Sequence, residues 1–339
     1  MKQLFKKAAI MTDLHMGLKT NSAIHNQDCL DYLLWFIEEA QKNNCDMCLF
    51  LGDYFHNRNS TNLVTMNYSL RGLRILSDAF DKTIIIPGNH DLFYRDQRTI
   101  SSIAWAEHIP HIEIFNEITT IGDAVFVPWM VQDEYKQILK QRGQYLFGHF
   151  ELPKFLMNAM VEMPEVGELR AEHFSDYQQV FTGHFHKRQT RGNITYIGNA
   201  FPHNFGDAWD DDRGMMILPW GEEPTFVTWP QAPKYRTVKV SDLVDDPSRF
   251  LPERGYIKLY MDTDVSYEEA GYLKENLVEE YDLRELSLVT MKKDAHMDDS
   301  SLGGNVNFES VDTIVQGQLL NINSEFYDSS LLLDIYKGL

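Results

Sequence analysis

Short apolar runs alternate with amphipathic segments along the first 230 residues of the chain. Residues 8–11, 47–51 and 84–86 are typical of buried strands, and apolar positions recur at helical spacing in 29–40 and 63–80 between them. Strand–helix–strand–helix–strand order favours an α/β domain with parallel pairing. The runs at 124–127, 144–147, 180–182, 194–197 and 215–218 predict further strands on shorter connections. Together they predict two mixed sheets packed face to face under helices.

The remaining residues have a different pattern. Residues 234–240, 256–261 and 283–291 predict strands, with an amphipathic helix over 266–281. Pro230 and Pro233 bracket a short connector, and the Gly-containing stretch 298–305 marks a second break. Helical spacing returns in 311–320 and 330–339. We predict a domain over 1–230, a small α+β domain over 234–297, a linker over 298–308 and a helical tail over 309–339.

Composition narrows the function classes. The 339 residues include 31 Lys and Arg against 50 Asp and Glu, a net charge of −19. This acidity disfavours a DNA binder that relies on a simple basic patch. No apolar run approaches the ~20 residues that span a bilayer, and no signal-peptide pattern opens the chain. Three cysteines cannot form a disulfide framework, so we expect a protein of the reducing cytoplasm.

Polar residues with metal-binding chemistry follow five of the predicted strands, most of them beside glycines. Because ligands bind in the crevice beyond the carboxyl ends of strands in α/β sheets, we expect these side chains to converge there. The set consists of Asp13, His15, Asp53, Asn89, His149, His184 and His186.

The donor types in this set suit Mn²⁺, Zn²⁺ or Fe²⁺ better than an all-oxygen Ca²⁺ site. Seven ligands are too many for one such ion but fit two ions that share a bridging carboxylate. Two cations about 3.5–4 Å apart can stabilise the attacking and leaving oxygens of an in-line displacement at phosphorus. A lone histidine after a strand is more often structural, and one aspartate in a turn is usually a turn former. Five such motifs in a fixed order favour the metal site.

The ordered motifs Asp-x-His, Gly-Asp, Gly-Asn-His-Asp, Gly-His and Gly-His-x-His resemble those of the calcineurin-like metallophosphoesterase superfamily. Within it the chain is similar to SbcD-type recombination nuclease subunits, including those of tailed phages, over about residues 5–230. The resemblance implies an α/β sandwich of two mixed sheets flanked by helices. It also implies a small α+β capping domain that holds DNA and a helical C-terminal tail.

The resemblance also implies residue roles. Asp13, His15 and His186 would bind the first metal, Asp53 would bridge, and Asn89, His149 and His184 would complete the second site. His90 would lie near the scissile phosphate and stabilise charge or protonate the leaving oxygen. His56 matches a position that carries a catalytic or DNA-contacting histidine in some members and an aspartate in others. Asp91 would orient His90 or a metal ligand.

The implied function is a two-metal-dependent DNA nuclease, exonucleolytic on duplex ends and endonucleolytic on single strands or hairpins. Mn²⁺ is the favoured metal, with Mg²⁺, Fe²⁺ and Zn²⁺ compatible. The chain would be the catalytic subunit of an ATP-driven recombination and double-strand-break repair complex, a homodimer within a heterotetramer. Its tail would dock on an SbcC-type coiled-coil ATPase. For a phage-encoded protein the compartment would be the host cytoplasm.

Alternatives remain open at this stage. The chain would otherwise be a phosphodiesterase or phosphatase for a non-DNA substrate, or a scaffold that kept the fold. The alternative to a capping role is that the small domain is an appendage without DNA contact. The alternative to a docking role is that the tail is a helix folded on the protein's own core. His203 could touch the edge of the metal crevice, but we interpret it as structural. Basic residues near the metal motifs are the candidates for phosphate contacts: Arg58, Arg95, Arg98, Lys187, Arg188 and Arg191. The net charge of −19 predicts that the chain alone binds DNA weakly, so its affinity for DNA would depend on metals and a partner.

Overall fold

The apolar runs form strands close to the predicted bounds. The computed structural model describes residues 3–157, 161–244, 246–263 and 266–290. Within these residues the strands are β1 (Lys7–Met11), β2 (Met47–Phe50), β3 (Thr83–Ile85), β4 (Ile112–Ile114), β5 (Thr119–Ile121), β6 (Ala124–Val127), β7 (Tyr145–His149), β8 (Gln179–Gly183), β9 (Gln189–Arg191), β10 (Ile194–Tyr196), β11 (Gly214–Pro219), β12 (Thr225–Thr228), β13 (Tyr235–Lys239), β14 (Tyr256–Met261) and β15 (Glu285–Thr290).

Helices join these strands at the positions where the apolar periodicity changes. The α-helices in the described residues are α1 (Leu18–Asn21), α2 (Ala23–Lys42), α3 (Leu63–Ala79), α4 (Tyr135–Ile138) and α5 (Tyr267–Glu280). Short 3₁₀ helices occupy Ala104–His108, Ala171–Phe174, Phe205–Asp207, Val240–Leu243 and Pro247–Arg249. The Ser22 hydroxyl accepts a hydrogen bond from the backbone N–H of His25, and the Asn62 side chain accepts one from Val64. These side chains cap α2 and α3 at their N-termini.

Two six-stranded mixed sheets build the larger part of the protein. The first has the order β12-β11-β1-β2-β3-β4, in which β1 to β4 pair in parallel and β11 runs antiparallel to β1. The second has the order β5-β6-β7-β8-β10-β9, in which β6, β7, β8 and β10 are parallel. The carboxyl ends of the parallel strands therefore carry the loops that the sequence marks as polar.

Alternation along each strand determines which side chains lie between the sheets. Ala8 and Ile10 of β1 pack with Phe126 and Phe147 of the second sheet, in a core shared by both sheets. Ala9 and Met11 face the other way and pack under α2 and α3. Successive side chains of a strand point to opposite faces, so one short run contributes to both cores. The predicted α/β sandwich of two mixed sheets is confirmed.

Contacts divide the described residues into two compact units, one made of those up to Thr237 with Glu253–Tyr256, the other of those in Val238–Pro252 and from Ile257 onward. Strands β13, β14 and β15 form a three-stranded sheet, and Val238, Ile257, Leu277 and Leu286 contribute to its core. The predicted linker and helical tail lie outside the described residues, and the predicted domain limits remain predictions. None of the helices in the described part of the chain has the length and apolarity needed to cross a membrane.

Candidate metal centre

The structure brings together all seven predicted metal ligands at one crevice. Asp13 and His15 follow β1, Asp53 follows β2 and Asn89 follows β3, so the first sheet supplies four of them. The second sheet supplies His149 at the end of β7, and His184 and His186 just after β8. We call these seven residues the metal-ligand cluster. Their convergence follows from parallel pairing, which brings strand ends to one edge of each sheet.

Asp53 lies between two groups of ligands. Its Oδ2 is 3.6 Å from Nε2 of His15 and 3.4 Å from Nε2 of His149. Asp13, His15 and Asp53 have ligand atoms within 4.8 Å of one another, and so do Asp53, His149 and His184. One carboxylate therefore belongs to both groups, as a bridging ligand must.

Asn89 joins the second group through its amide oxygen. Its Oδ1 is 3.2 Å from Nε2 of His149 and 2.8 Å from Nδ1 of His184. On the other side, Nε2 of His186 is 3.9 Å from Oδ1 of Asp13. The two groups thus match the division into a first and a second site that the resemblance implies.

Hydrogen bonds fix which atom of each ligand is left for an ion. Oδ2 of Asp13 accepts from the Thr12 hydroxyl at 2.7 Å and from the backbone N–H of His184 at 3.0 Å. Oδ1 of Asp13 and Nε2 of His15 are buried, and neither has a hydrogen-bond partner among the described residues. His149 donates from Nδ1 to the Leu51 carbonyl at 2.7 Å, which leaves its Nε2 unprotonated in the neutral ring. Such supporting contacts are typical of metal-ligand residues.

The backbone at the cluster is bent into an uncommon conformation. Asp13, His15, Asp53 and His184 have φ values of 51°, 51°, 59° and 90°, in the region that L-residues rarely adopt. Two glycines allow the tight approach of neighbouring loops. A Cβ on Gly52, whose φ is 95°, would lie 2.8 Å from Cα of Gly88, and one on Gly88 would collide with the Asp53 carboxylate. Strained backbone of this kind concentrates at functional sites.

In the cluster the pKa values of the two carboxylates and of two of the four imidazoles, His184 and His186, are lowered. Burial would raise the pKa of Asp13, but the histidines around it, His15 first, lower that pKa to about 2. Burial also opposes ionisation of Asp53, whose pKa His149 lowers well below its usual value. For His184, burial and the neighbouring His149 lower the pKa to about 3, and for His186 burial lowers it too. Neutral imidazole and ionised carboxylate are the forms that bind metal.

His149 is an exception. Burial alone would lower its pKa, but the Asp53 carboxylate raises the pKa of His149 to about 9. Burial would also lower the pKa of His15, but the neighbouring Asp13 and Asp53 carboxylates raise it. In the metal-free protein His149 therefore holds a proton at neutral pH, in the position that a metal ion would take.

Proton release on metal binding is the expected consequence. At pH 7.5 His149 is protonated in the metal-free protein because its pKa is about 9, and an ion can bind only after that proton leaves. We expect Mn²⁺ binding to release at least one proton. For each proton released, the observed affinity for Mn²⁺ should rise about tenfold per pH unit up to pH 9. Calorimetric titrations at pH 7.5 in two buffers of different ionisation enthalpy measure the release. Heats that are identical in both buffers would contradict it.

His90 and His56 lie beside the first group of ligands. The ring of His90 is 4.8 Å from the ring of His15 and stacks on that of His56 at 5.2 Å. Nδ1 of His90 donates to the His56 carbonyl at 2.7 Å, and the backbone N–H of His90 donates to Oδ1 of Asp53 at 2.7 Å. Burial lowers the pKa of both rings, with His15 lowering it further, to about 3 for His56. Both predicted catalytic residues are thus next to the cluster; their roles remain predictions.

Asp91 supports the loop that carries Asp53. Its carboxylate accepts from the backbone N–H groups of Gly88 and Asp53, both at 2.9 Å, and from those of Tyr54 at 3.3 Å and Phe55 at 3.0 Å. Burial and the neighbouring Asp53 charge nevertheless raise the pKa of Asp91 to about 6. The carboxylate ties the loop after β2 to the loop after β3, so it positions the bridging residue through the backbone.

Five of the six predicted DNA-contacting residues form ion pairs within the described residues. Arg95 pairs with Glu151, Arg98 with Glu134, Lys187 with Asp210, Arg188 with Asp212 and Arg191 with Glu162. Arg58 is half-buried, and no ion pair is found for it in the described part of the chain. Burial lowers the pKa of Arg58, and so does the neighbouring Arg95, whereas Asp53 raises it. Arg58 is therefore close enough to the crevice to sense the bridging carboxylate.

The ring of His203 lies beside two of the predicted ligands, and its role remains a prediction. A ring nitrogen of His203 lies within 4.8 Å of ligand atoms of His15 and His186. Burial lowers the pKa of His203 well below its usual value, as do His186 and His15. No motif marks this residue, because it follows β10 in a long loop and about 190 residues separate it from Asp13 and His15. His25 was not predicted; its Nε2 lies 3.0 Å from the His15 carbonyl and supports that loop.

The donor set fits divalent metal ions. Two ionised carboxylates, one amide oxygen and four imidazoles converge, and in the described part of the chain two of the buried donor atoms have no hydrogen-bond partner. Asp13, His15, Asp53 and His186 would hold one ion, and Asp53, Asn89, His149 and His184 the other. Bound there, divalent ions would stabilise the attacking and leaving oxygens of an in-line displacement at phosphorus.

Fold and site define a metal-dependent phosphoesterase, and residues 6–188 match the family described as calcineurin-like phosphoesterase. The chain belongs to this family. Among characterised proteins it is similar to exonuclease subunit 1 of Enterobacteria phage T4, with 27% identity over 231 residues, which cover 64% of this chain and 67% of that protein.

The chain also matches solved structures, at low identity. The phosphoesterase YfcE from E. coli has 12% identity and a TM-score of 0.34, over 66% of this chain and 92% of its own. The nuclease MPE from Pseudomonas putida has 17% identity and a TM-score of 0.27, over 56% of this chain and 66% of its own. Neither likeness bears on function.

Proposed function

We propose that this protein is a two-metal-dependent DNA nuclease. It would remove nucleotides from duplex ends and cut single strands or hairpins, with Mn²⁺ as the favoured ion. The observation that carries the proposal is the complete metal-ligand cluster in a chain that is similar over 231 residues to a phage exonuclease subunit. His90 beside the cluster supports hydrolytic rather than merely structural use of the metals.

The chain's own residues prepare the site for attack on a phosphodiester. Asp53 holds the two ligand groups together, and Asp91 holds the loop of Asp53 through four backbone N–H groups. His90 is anchored through Nδ1 to the His56 carbonyl, so its Nε2 is the atom left to meet substrate oxygen. In its protonated form that nitrogen would donate to the leaving oxygen, and in its neutral form it would accept a proton.

The proposal includes a partner. The T4 relative is named as a subunit, which supports a complex with a second chain. By the resemblance this partner is an SbcC-type ATPase bound by residues 309–339, and the assembly contains a homodimer of the nuclease. The acidic net charge of −19 supports the partner as well, because a subunit with this charge holds DNA weakly by itself.

Cleavage of end-labelled linear duplex DNA tests the function. With Mn²⁺ the full chain should release labelled mononucleotides or short oligonucleotides, and EDTA should stop the reaction. Covalently closed circular duplex should persist under the same conditions, since it has no ends. A chain that stops at residue 308 should retain metal-dependent cleavage, because the tail would serve the partner and not the chemistry.

Two substrates without DNA distinguish the alternatives. If the protein hydrolyses p-nitrophenyl phosphate but leaves DNA uncut, the result favours a phosphatase. Hydrolysis of bis(p-nitrophenyl) phosphate reports phosphodiesterase chemistry whether or not DNA is a substrate. If the Mn²⁺-loaded protein hydrolyses none of these substrates, the chain is a scaffold and the proposal is wrong.

Arg58 should contribute affinity for DNA without contributing to the chemistry. Removing one phosphate contact should weaken DNA binding at every sequence and reduce the slope of log affinity against log salt by about 1. We expect Arg58→Ala to do so, measured by fluorescence anisotropy with a labelled duplex in Ca²⁺. Arg142→Ala is the matched control, since Arg142 pairs with Asp176 before β7 at the opposite edge of the sheet. Equal salt slopes for Arg58→Ala and wild type would remove Arg58 from the DNA surface.

A further inference from the structure

His203 is a buried imidazole whose polar atoms are unused by the protein. Its relative exposure is 2%, and neither Nδ1 nor Nε2 has a hydrogen-bond partner among the described residues. Buried polar side-chain atoms are hydrogen-bonded in the large majority of cases, so each exception needs an explanation. A structural histidine would use at least one ring nitrogen, as His25 does with the His15 carbonyl.

The surroundings of the ring explain the exception. The His203 ring centre lies 5.3 Å from that of His15 and 5.3 Å from that of His186. One nitrogen of each of the three rings lies within 4.8 Å of the others. Imidazole nitrogens bind an ion such as Zn²⁺ at about 2.0–2.1 Å, so opposite ligands are about 4 Å apart. Small side-chain adjustments would therefore allow one ion to contact all three.

The backbone of His203 is held on both sides while its ring is not. Its N–H donates to Oδ2 of Asp207 at 2.9 Å, and its carbonyl accepts from the Tyr235 hydroxyl at 2.7 Å. Asp207 in turn lies 3.4 Å from the guanidinium of Arg213, which is completely buried. Buried groups thus fix where the imidazole stands, as supporting residues do around metal ligands.

We propose that His203 is an additional ligand of the ion held by Asp13, His15 and His186. The inference rests on the metal centre of the proposed function and adds an imidazole to its first site. That site then has three imidazoles, whereas the second has two imidazoles with an amide. Imidazole ligands suit Fe²⁺, Zn²⁺ and Co²⁺ more than Mg²⁺, so His203 makes the first site the more selective of the two.

Co²⁺ is a suitable probe because its visible absorption responds to the number and type of ligands. The full-length metal-free protein should bind two Co²⁺ ions. His203→Ala should bind one of them at least about 10-fold more weakly. Loss of a residue that only supports a ligand already weakens metal binding by about 10- to 100-fold, so loss of a ligand should cost no less than the lower figure. Its Co²⁺ spectrum should also differ from that of the wild type, which a purely structural role would not cause.

His111→Ala is the control for loss of a histidine, because His111 is exposed and belongs to none of the ligand groups found in the described residues. It should bind both ions with the wild-type spectrum. His203→Asn and His203→Gln serve if the alanine variant does not fold, as judged by circular dichroism. If a folded His203 variant keeps the wild-type affinity for Co²⁺ and the wild-type spectrum, the inference about His203 is wrong and the rest of the metal centre is unaffected. A wild type that binds no Co²⁺ would overturn the metal centre with it, whereas loss of DNA cleavage with normal Co²⁺ binding concerns only the proposed function.

Discussion

Replacing Asp53 with asparagine should almost abolish metal-dependent phosphodiester hydrolysis. The Asp53 carboxylate is 3.6 Å from His15 and 3.4 Å from His149, so both ligand groups depend on it. An amide has no charge to balance two divalent ions, and several kcal/mol of transition-state stabilisation should be lost. We expect kcat to fall by about 10³-fold or more with bis(p-nitrophenyl) phosphate and Mn²⁺.

Calorimetry on the same variant should show that fewer than two Mn²⁺ ions bind. Asp28→Asn is the matched control, because Asp28 is an equally buried carboxylate that pairs with Arg254 outside the metal-ligand cluster. It should keep both ions and nearly full kcat, even if its melting temperature falls. Activity of Asp53→Asn within tenfold of wild type would show that the bridging assignment is wrong.

His90→Ala should separate metal binding from catalysis. The contact between His90 and Asp53 uses the backbone N–H, which the substitution keeps, so the bridging carboxylate should stay in place. What disappears is the imidazole beside His15. Loss of a general acid or of charge stabilisation lowers rates by about 10²–10⁴-fold, and we expect kcat to fall in that range with two Mn²⁺ ions still bound.

The measurement is kcat on DNA and on bis(p-nitrophenyl) phosphate, together with the Mn²⁺ stoichiometry. His111→Ala, at an exposed position, is the control for loss of a histidine. A lower Mn²⁺ stoichiometry in His90→Ala would instead make His90 a ligand. Comparison with His56→Ala decides which of the two stacked rings acts, because the two variants remove neighbouring imidazoles from one stack.

The motifs at the strand ends were predictable because two simple rules coincide there. Apolar runs identify the strands, and parallel pairing places the polar residues after β1, β2, β3, β7 and β8 at one crevice. The strands β4, β5, β9 and β12 were not predicted. They are short, and β5, β9 and β12 have no fully buried residues, so their sequences lack an apolar run.

The N-terminal part of α2 shows a different limit. Its apolar periodicity becomes visible only near Cys29, yet the helix begins at Ala23. The buried residues of its first turns are polar and serve the site: His25 lies against the His15 carbonyl, and Asn26 accepts from the Gly17 N–H at 2.8 Å. A hydrophobic pattern cannot reveal a helix whose buried face is built for hydrogen bonding.

His203 and the basic residues needed three-dimensional information. No local pattern distinguishes a histidine with unused nitrogens from one with partners, and the rings around His203 come from distant loops. Likewise, closeness in sequence to the metal motifs selected six cations, but five of them are paired with acids. Only the structure identifies Arg58 as the candidate for which no ion pair is found in the residues that it describes.

The division of the metal-ligand cluster between the two sheets has a mechanical consequence. Four ligands belong to the loops of the first sheet and three to those of the second, so ions at this site would fasten one sheet to the other at the open edge of their shared core. They would act as a cross-link between the sheets, as a disulfide bond does, but a chelator could remove them. Ligands that bind only the folded state raise its stability, so withdrawal of metal would switch off the enzyme and loosen the sandwich together. The cell's supply of divalent metal would then govern the lifetime of the protein as well as its activity.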